Sequence, residues 1–168
     1  MINKIAFFDR DGVLNVDKGY VYRPEDFEWM PGAIDAIRYV TVNNWIPIVV
    51  TNQSGIARGY YQENDVVALH RWMNGQLKYH GLQIADFIYC PYLNDAPVVE
   101  YARVDPEDRK PNPGMLLKAL SRWDASSEHS FIVGDNDSDI EAGRRAGVRG
   151  LKYSQGNLLD AIRKFVEI

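Results

Sequence analysis

The sequence predicts an α/β fold: a doubly wound, mainly parallel sheet with helices on both faces and no separate cap domain. Three observations predict it. Short apolar runs recur along the chain, amphipathic stretches separate them, and 168 residues, against about 150 per domain, make one domain over 1–168. Ile5 to Phe8 is apolar throughout and reads as a buried strand. Residues about 32–43 carry Ala33, Ile34, Ile37, Val40 and Thr41 at helical spacing. Trp45 to Val50 is β-branched and apolar, a second buried strand. Residues about 62–80 form the longest helical pattern, with Val66, Leu69, Met73 and Leu77 on one face. Phe87 to Tyr89 is a third strand. Residues about 91–112 hold four of the eight prolines and no period, so they are loop. Gly114 to Trp123 is helical, Phe131 to Val133 a fourth strand and Asp139 to Ala146 a helix. Val148 to Tyr153 is a fifth strand, and Leu158 to Val166 a closing helix.

Composition narrows the function classes. Lys and Arg number 19 against 23 Asp and Glu, a formal charge of −4 that disfavours nucleic-acid and anionic-membrane binding. A single cysteine forms no internal disulfide and no Cys-rich zinc site. The apolar run after Met1 ends in Asp-Arg-Asp, unlike a secretory signal, and no window of about 18 apolar residues occurs. A soluble cytoplasmic monomer is the expectation.

A parallel sheet binds ligands beyond the carboxyl ends of its strands. The residues there are Asp9 to Gly12, Thr51 to Gly55, Cys90-Pro91 and Gly134 to Asp137. Three of these four segments are rich in carboxylate, hydroxyl, amide and glycine. Asp9 and Asp11 share one side of extended backbone, because the side-chain period is two. Two carboxylates that close repel, and a divalent cation relieves the repulsion. Alone, Asp-x-Asp-Gly after a strand is more often a turn. The second cluster, Asp135, Asp137 and Asp139, changes the balance: helix capping by Asp137 or Ser138 accounts for part of it and leaves Asp135 over. Asp9, Asp11 and Asp135 are therefore the expected metal ligands, an all-oxygen set suited to Mg²⁺.

Asp9-Arg10-Asp11-Gly12-Val13-Leu14, Thr51-Asn52, Lys110-Pro111 and Gly134-Asp135 resemble, in order, the four motifs of the haloacid dehalogenase-like phosphohydrolases. Asn15 to Tyr20, Val50 to Gly59 and Arg109 to Met115 resemble the heptose bisphosphate phosphatases and the related histidinol phosphatases, the first branch more closely. The resemblance runs from Ile5 to about Leu151. It implies a Mg²⁺-dependent phosphomonoesterase with Asp9 as nucleophile and Asp11 as general acid and base. Thr51 and Lys110 join them as catalytic residues at the transferring phosphoryl group, and Asn52 bonds its oxygens. It also implies substrate contacts from Asp17, Gly19, Tyr20, Gln53, Ser54, Arg109 and Asn136, with Arg109 on a second phosphate or a sugar hydroxyl and Arg58 a weaker candidate. The substrate implied is a heptose bisphosphate or similar phosphosugar. Histidinol phosphate, a nucleic-acid 3′-phosphate and a catalytically silent phosphosugar-binding module remain alternatives.

The chain departs from that family at two places. Its members carry a zinc-bound loop with a Cys-x-His and a later Cys-x-Cys pair; here Cys90-Pro91-Tyr92 keeps one ligand, and Pro106 and Asp108 stand where the cysteines would be. A tetrahedral site needs four ligands, so no zinc is expected. Packing by Tyr92, Leu93, Val98 and Tyr101 should then hold the loop. The second departure is Asn136, where the family often has lysine.

Overall fold

The computed structural model describes residues 1–167; Ile168, within the predicted domain, lies outside the described residues. Five strands form one parallel sheet in the order β3-β2-β1-β4-β5. They are β1 (Lys4–Phe8), β2 (Trp45–Asn52), β3 (Asp86–Cys90), β4 (Phe131–Gly134) and β5 (Arg149–Lys152). Five α-helices connect or follow them: α1 (Ala33–Val42), α2 (Glu63–Lys78), α3 (Gly114–Arg122), α4 (Asp137–Arg145) and α5 (Leu158–Val166). Every strand and helix read from the sequence is present, with no end displaced by more than two residues.

The sheet is buried on both faces because its strands are apolar at both parities. Ala6, Phe8, Val49, Phe131 and Val133 pack toward α1, α2 and α5, while Ile5, Phe7, Ile48, Val50 and Ile132 pack toward α3 and α4. On α1 the buried residues are Ala33, Ala36, Ile37 and Val40, one stripe at helical spacing. Fully burying a Leu, Ile or Phe contributes about 1.5–3 kcal/mol, so these two layers supply the main stabilisation.

Strand order reverses between β1 and β4: β2 and β3 follow on one side of β1, and β4 and β5 lie on the other. A crevice opens at such a switch point beyond the carboxyl ends. The segments that follow β1 and β3 hold only short 3-10 turns, at Pro24–Asp26 and Val99–Tyr101. Neither builds a cap domain. No helix among the described residues is long and apolar enough to cross a membrane.

The α4 start differs from expectation. The helix begins two residues early, and Asn136 rather than Asp137 or Ser138 is its N-cap. Asn136 and Asp139 form a reciprocal capping box, which satisfies two otherwise unpaired N–H groups. Asp137 instead meets Lys152 at the surface, 2.7 Å away, a contact of little energetic weight.

Candidate active site

A cleft of about 340 Å³ lies at the switch point, lined by Asp9, Asp11, Asp17, Gly19, Tyr20, Asn52, Gln53, Ser54, Tyr61, Lys110, Asn136, Ser138 and Asp139. Asp9 stands one residue beyond β1, tied to β4 by its N–H, 3.0 Å from the Val133 carbonyl. Its Oδ1 accepts from the Arg10 N–H at 2.9 Å and from Lys110 Nζ at 3.0 Å. Lys110 arrives from the loop after β3 and is almost wholly buried. Its ammonium donates to Asp9, to the Val50 carbonyl at 2.8 Å and to Asp139 Oδ1 at 2.5 Å. All three donors are thus engaged by the protein, and the charge acts through Asp9.

Asn52 fixes the other end of this lysine. Its side-chain amide donates to the Lys110 carbonyl and accepts from the Lys110 N–H, both at 3.1 Å. A two-bond clamp of this kind sets register between β2 and the loop, so Lys110 enters the cleft at a fixed angle.

Asp9, Asp135 and Asp139 bring carboxylate oxygens within 4.8 Å of one another. Three carboxyl groups thus share one ammonium. Burial pushes the Asp9 carboxyl up to about 8; Lys110 pulls it down, and Asp139 and Asp11 push it further up. Burial also raises Asp135, half-buried beside Asp9. Lys110 is raised as well: burial opposes its charge, but the Asp9 and Asp139 carboxylates outweigh that. A group of oxygen ligands short of positive charge fits a hard divalent cation. Asp139 has both oxygens committed, one to Lys110 and one to the Asn136 N–H. Asp9 Oδ2 and Asp135 keep oxygens free to bind.

Asp11 does not join this group, as the period-two rule had led one to expect. Extended backbone ends at Phe8, and Gly12 turns the chain with φ 84°. The Asp11 carboxylate points instead to Arg10 Nη2 (3.1 and 3.2 Å), Asn15 Nδ2 (3.0 Å) and Gln53 Nε2 (3.1 Å). It still lines the cleft across from Asp9, held by three donors, where a proton can be exchanged with a ligand.

The other candidates divide. Asp17, Gly19, Tyr20, Asn52, Gln53, Ser54 and Asn136 all line the cleft. Thr51 does not: it is buried, and its hydroxyl accepts from Gln53 Nε2 at 2.9 Å. Arg109 also faces elsewhere, into a neighbouring recess with Leu93, Asn94 and Val104 that meets the cleft only at Lys110. Arg58 is exposed on the rim, its Nε 3.5 Å from Ser54 Oγ.

Four residues had no assigned role. Asp139 was legible in the Asn-x-x-Asp spacing of a capping box. Arg10 was legible only as the residue between the two aspartates of the first motif. Tyr61, which donates to Gln53 Oε1 at 2.5 Å, and His70, buried on α2, carried no comparable signal.

Tyr92, Leu93, Val98 and Tyr101 all make contacts that hold the loop from Pro91 to Asp108, with one addition. Arg103 lies 3.7 Å above the Tyr92 ring. Across the loop neck the Leu93 N–H donates to the Tyr101 carbonyl and the Arg103 N–H donates to the Leu93 carbonyl, the Val98 N–H bonds the Ala57 carbonyl, and Tyr101 donates to Glu63 at 2.8 Å. Cys90 is buried, its thiol 4.0 Å from the Tyr92 carbonyl.

Residues 108–164 match the HAD-hydrolase-like family model. Over 163 residues the chain is 42% identical to the D-glycero-β-D-manno-heptose-1,7-bisphosphate 7-phosphatase of Rhodopseudomonas palustris, covering 97% of this chain and 89% of that one. The chain belongs to the heptose bisphosphate phosphatase family of HAD-like hydrolases. It is also 41% identical over 148 residues to the D-glycero-α-D-manno-heptose-1,7-bisphosphate 7-phosphatase of Campylobacter jejuni, covering 88% of this chain and 80% of that one. The D,D-heptose 1,7-bisphosphate phosphatase of B. bronchiseptica, solved with magnesium and phosphate, superimposes with a TM-score of 0.80 at 30% identity, over 96% of this chain and 86% of that one. Family membership accounts for the uncapped cleft and for the order in which Asp9, Asn52, Lys110 and Asp135 enter it.

Proposed function

We propose that this protein is a Mg²⁺-dependent phosphatase that removes the 7-phosphate of D-glycero-D-manno-heptose 1,7-bisphosphate through an aspartyl-phosphate. The single observation carrying this is the meeting of Asp9 and Asp135 beside Lys110, in a cleft that Asp11 also lines. Residues 1–168 act as one domain, and the enzyme is read as a cytoplasmic monomer.

Asp9 and Asp135 would hold Mg²⁺, with Asp139 in reach; bound there, the cation supplies the positive charge that shields phosphoryl oxygens from the Asp9 carboxylate. Lys110 and the Arg10 N–H fix Asp9 Oδ1 and leave Oδ2 free to attack. Oδ2 forms a bond to phosphorus as the phosphorus–sugar oxygen bond breaks. Asp11 gives its proton to the departing sugar oxygen. It then takes a proton from the water that attacks the phosphorus, which restores the Asp9 carboxylate and releases inorganic phosphate. The Asn52 clamp keeps Lys110 aimed, and Ser54 and Asn136 are the polar groups on the cleft wall open to phosphoryl or sugar oxygens. Removing one preorganised electrostatic partner costs about 10²–10³ in rate.

The relatives are named for both anomers, so the assay uses each. Phosphate release is measured with Mg²⁺ from the α and β heptose 1,7-bisphosphates, histidinol phosphate and a 3′-phosphorylated oligonucleotide. Release from a heptose bisphosphate at a kcat/KM well above the other two is the expected result. No release from either anomer by folded protein overturns the proposal.

A further inference from the structure

Arg10 is wholly buried between the two aspartates of the first motif. Its Nη2 donates to both oxygens of Asp11 and, at 2.5 Å, to the carbonyl of Val21 in the segment after β1. Its Nη1 lies 3.2 Å from Nε2 of His70. A guanidinium has donors only, so His70 Nε2 must be the bare acceptor and Nδ1 must carry the proton. The ring is fixed in turn by stacking on Phe87, centroid to centroid 4.5 Å, with Tyr89 edge-on at 6.3 Å. A protonated ring beside Arg10 would bury two like charges; burial first, and then the Arg10 charge, hold the His70 pKa down to about 3.

We propose that His70 is a positioning residue for the acid–base step: through Arg10 it holds the Asp11 carboxylate toward the cleft. The inference rests on the phosphatase reading. The Arg10 Nε is buried without a partner, so Asp11, the Val21 carbonyl and His70 are the groups that bond its guanidinium. His70 supplies the anchor on the side away from the cleft. It lies on α2, sixty residues along the chain, and does not line the cleft. The path is therefore one continuous chain of hydrogen bonds, from His70 to Arg10 to Asp11 Oδ1 and Oδ2. Asn15 and Gln53 bond the same carboxylate from its other sides, and Tyr61 holds Gln53 in turn. A misplacement of about 1 Å at a reacting group can cost ~10²-fold, so a loosened Arg10 should appear in kcat before KM.

The test compares wild type, His70→Leu and His70→Gln on heptose bisphosphate with Mg²⁺, alongside thermal melts. His70→Leu keeps an apolar stack on Phe87 but accepts nothing from Arg10; kcat should fall on the order of tenfold or more, with KM within about twofold. His70→Gln offers an oxygen to Arg10 and should recover most of the loss. Full kcat in a folded His70→Leu, or an equal loss in His70→Gln, overturns the inference. The imidazole ¹⁵N shifts of the wild-type protein test it without turnover: Nδ1 protonated and Nε2 bare is expected, and a protonated Nε2 overturns it. Wild-type protein with the expected tautomer but no phosphate release counts against the phosphatase reading alone.

Discussion

Lys110 Nζ lies 2.5 Å from Asp139 Oδ1, nearer than the 3.0 Å to Asp9 Oδ1. Lysine and Asp139 are both shut off from solvent, and the same Asp139 closes the α4 capping box. One carboxylate thus sets the charge beside Asp9 and the entry of the helix behind Asp135. Asp139→Ala should destabilise the protein by about 4 kcal/mol or more, since breaking a buried pair costs roughly 3–5 and a lost cap about 1. Asp139→Asn keeps an oxygen for the Asn136 N–H and should lose clearly less. Urea melts measure both; a loss below about 1 kcal/mol in the alanine variant would refute this account.

Gly12 is where the first motif approaches the fourth. Its φ is 84°, and a Cβ there would collide with Asp135 Oδ2 and Cγ. Gly12→Ala therefore displaces the ligand most open to a cation and strains the turn that aims Asp11. Mg²⁺ affinity, followed calorimetrically, should weaken, and turnover should drop about 10²-fold, as expected for a reacting group moved by about 1 Å. Unchanged affinity would mean that Asp135 is not a ligand.

Arg103 over Tyr92 is an exposed cation–π contact at the neck of the loop from Pro91 to Asp108. Such contacts contribute about 0.5–1 kcal/mol at exposed sites. Arg103→Ala should barely move global stability and should raise the rate of proteolytic cleavage within residues 91–108. Equal cleavage rates would show that the backbone bonds of Leu93 and Arg103 suffice.

Periodicity and composition carried the fold because each layer is stated locally: β1 is apolar at both parities, and α1 has one buried stripe. Asp9 and Asp135 were legible because two acidic segments follow β1 and β4 and capping leaves Asp135 over, and Lys110 was legible through the motif resemblance. The orientation of Asp11 was not legible, since it depends on Gly12 ending the extended backbone and on donors from Asn15 and Gln53. Thr51 and Arg109 misled for a related reason: the motif fixes which residue stands at a position, while the local pleat and the loop path decide which way it faces. His70 was not legible, because an isolated histidine on a long helix gives no sign of the guanidinium it meets.

Asp9 makes stability depend on pH in an unusual direction for a carboxylate. In the metal-free protein burial raises its pKa from 3.8 to about 8. Between those values the folded state keeps a proton that the unfolded state has released, so the folded state binds more protons and stability falls as pH rises. Asp135, raised by the same burial, adds to the slope. The melting temperature of the metal-free protein should therefore decline from about pH 5 to pH 8. A divalent cation binds the ionised carboxylates and not the unfolded chain, so added Mg²⁺ should raise the melting temperature more at pH 8 than at pH 5. His70 acts in the opposite sense. Its folded pKa of about 3 lies below the ordinary imidazole value of 6.5, so it removes stability as pH falls from 6.5 toward 3. His70→Gln should flatten that acid limb and leave the slope between pH 7 and 8 intact. A Mg²⁺ effect equal at both pH values would show that Asp9 and Asp135 do not gather the charge on which this chemistry depends.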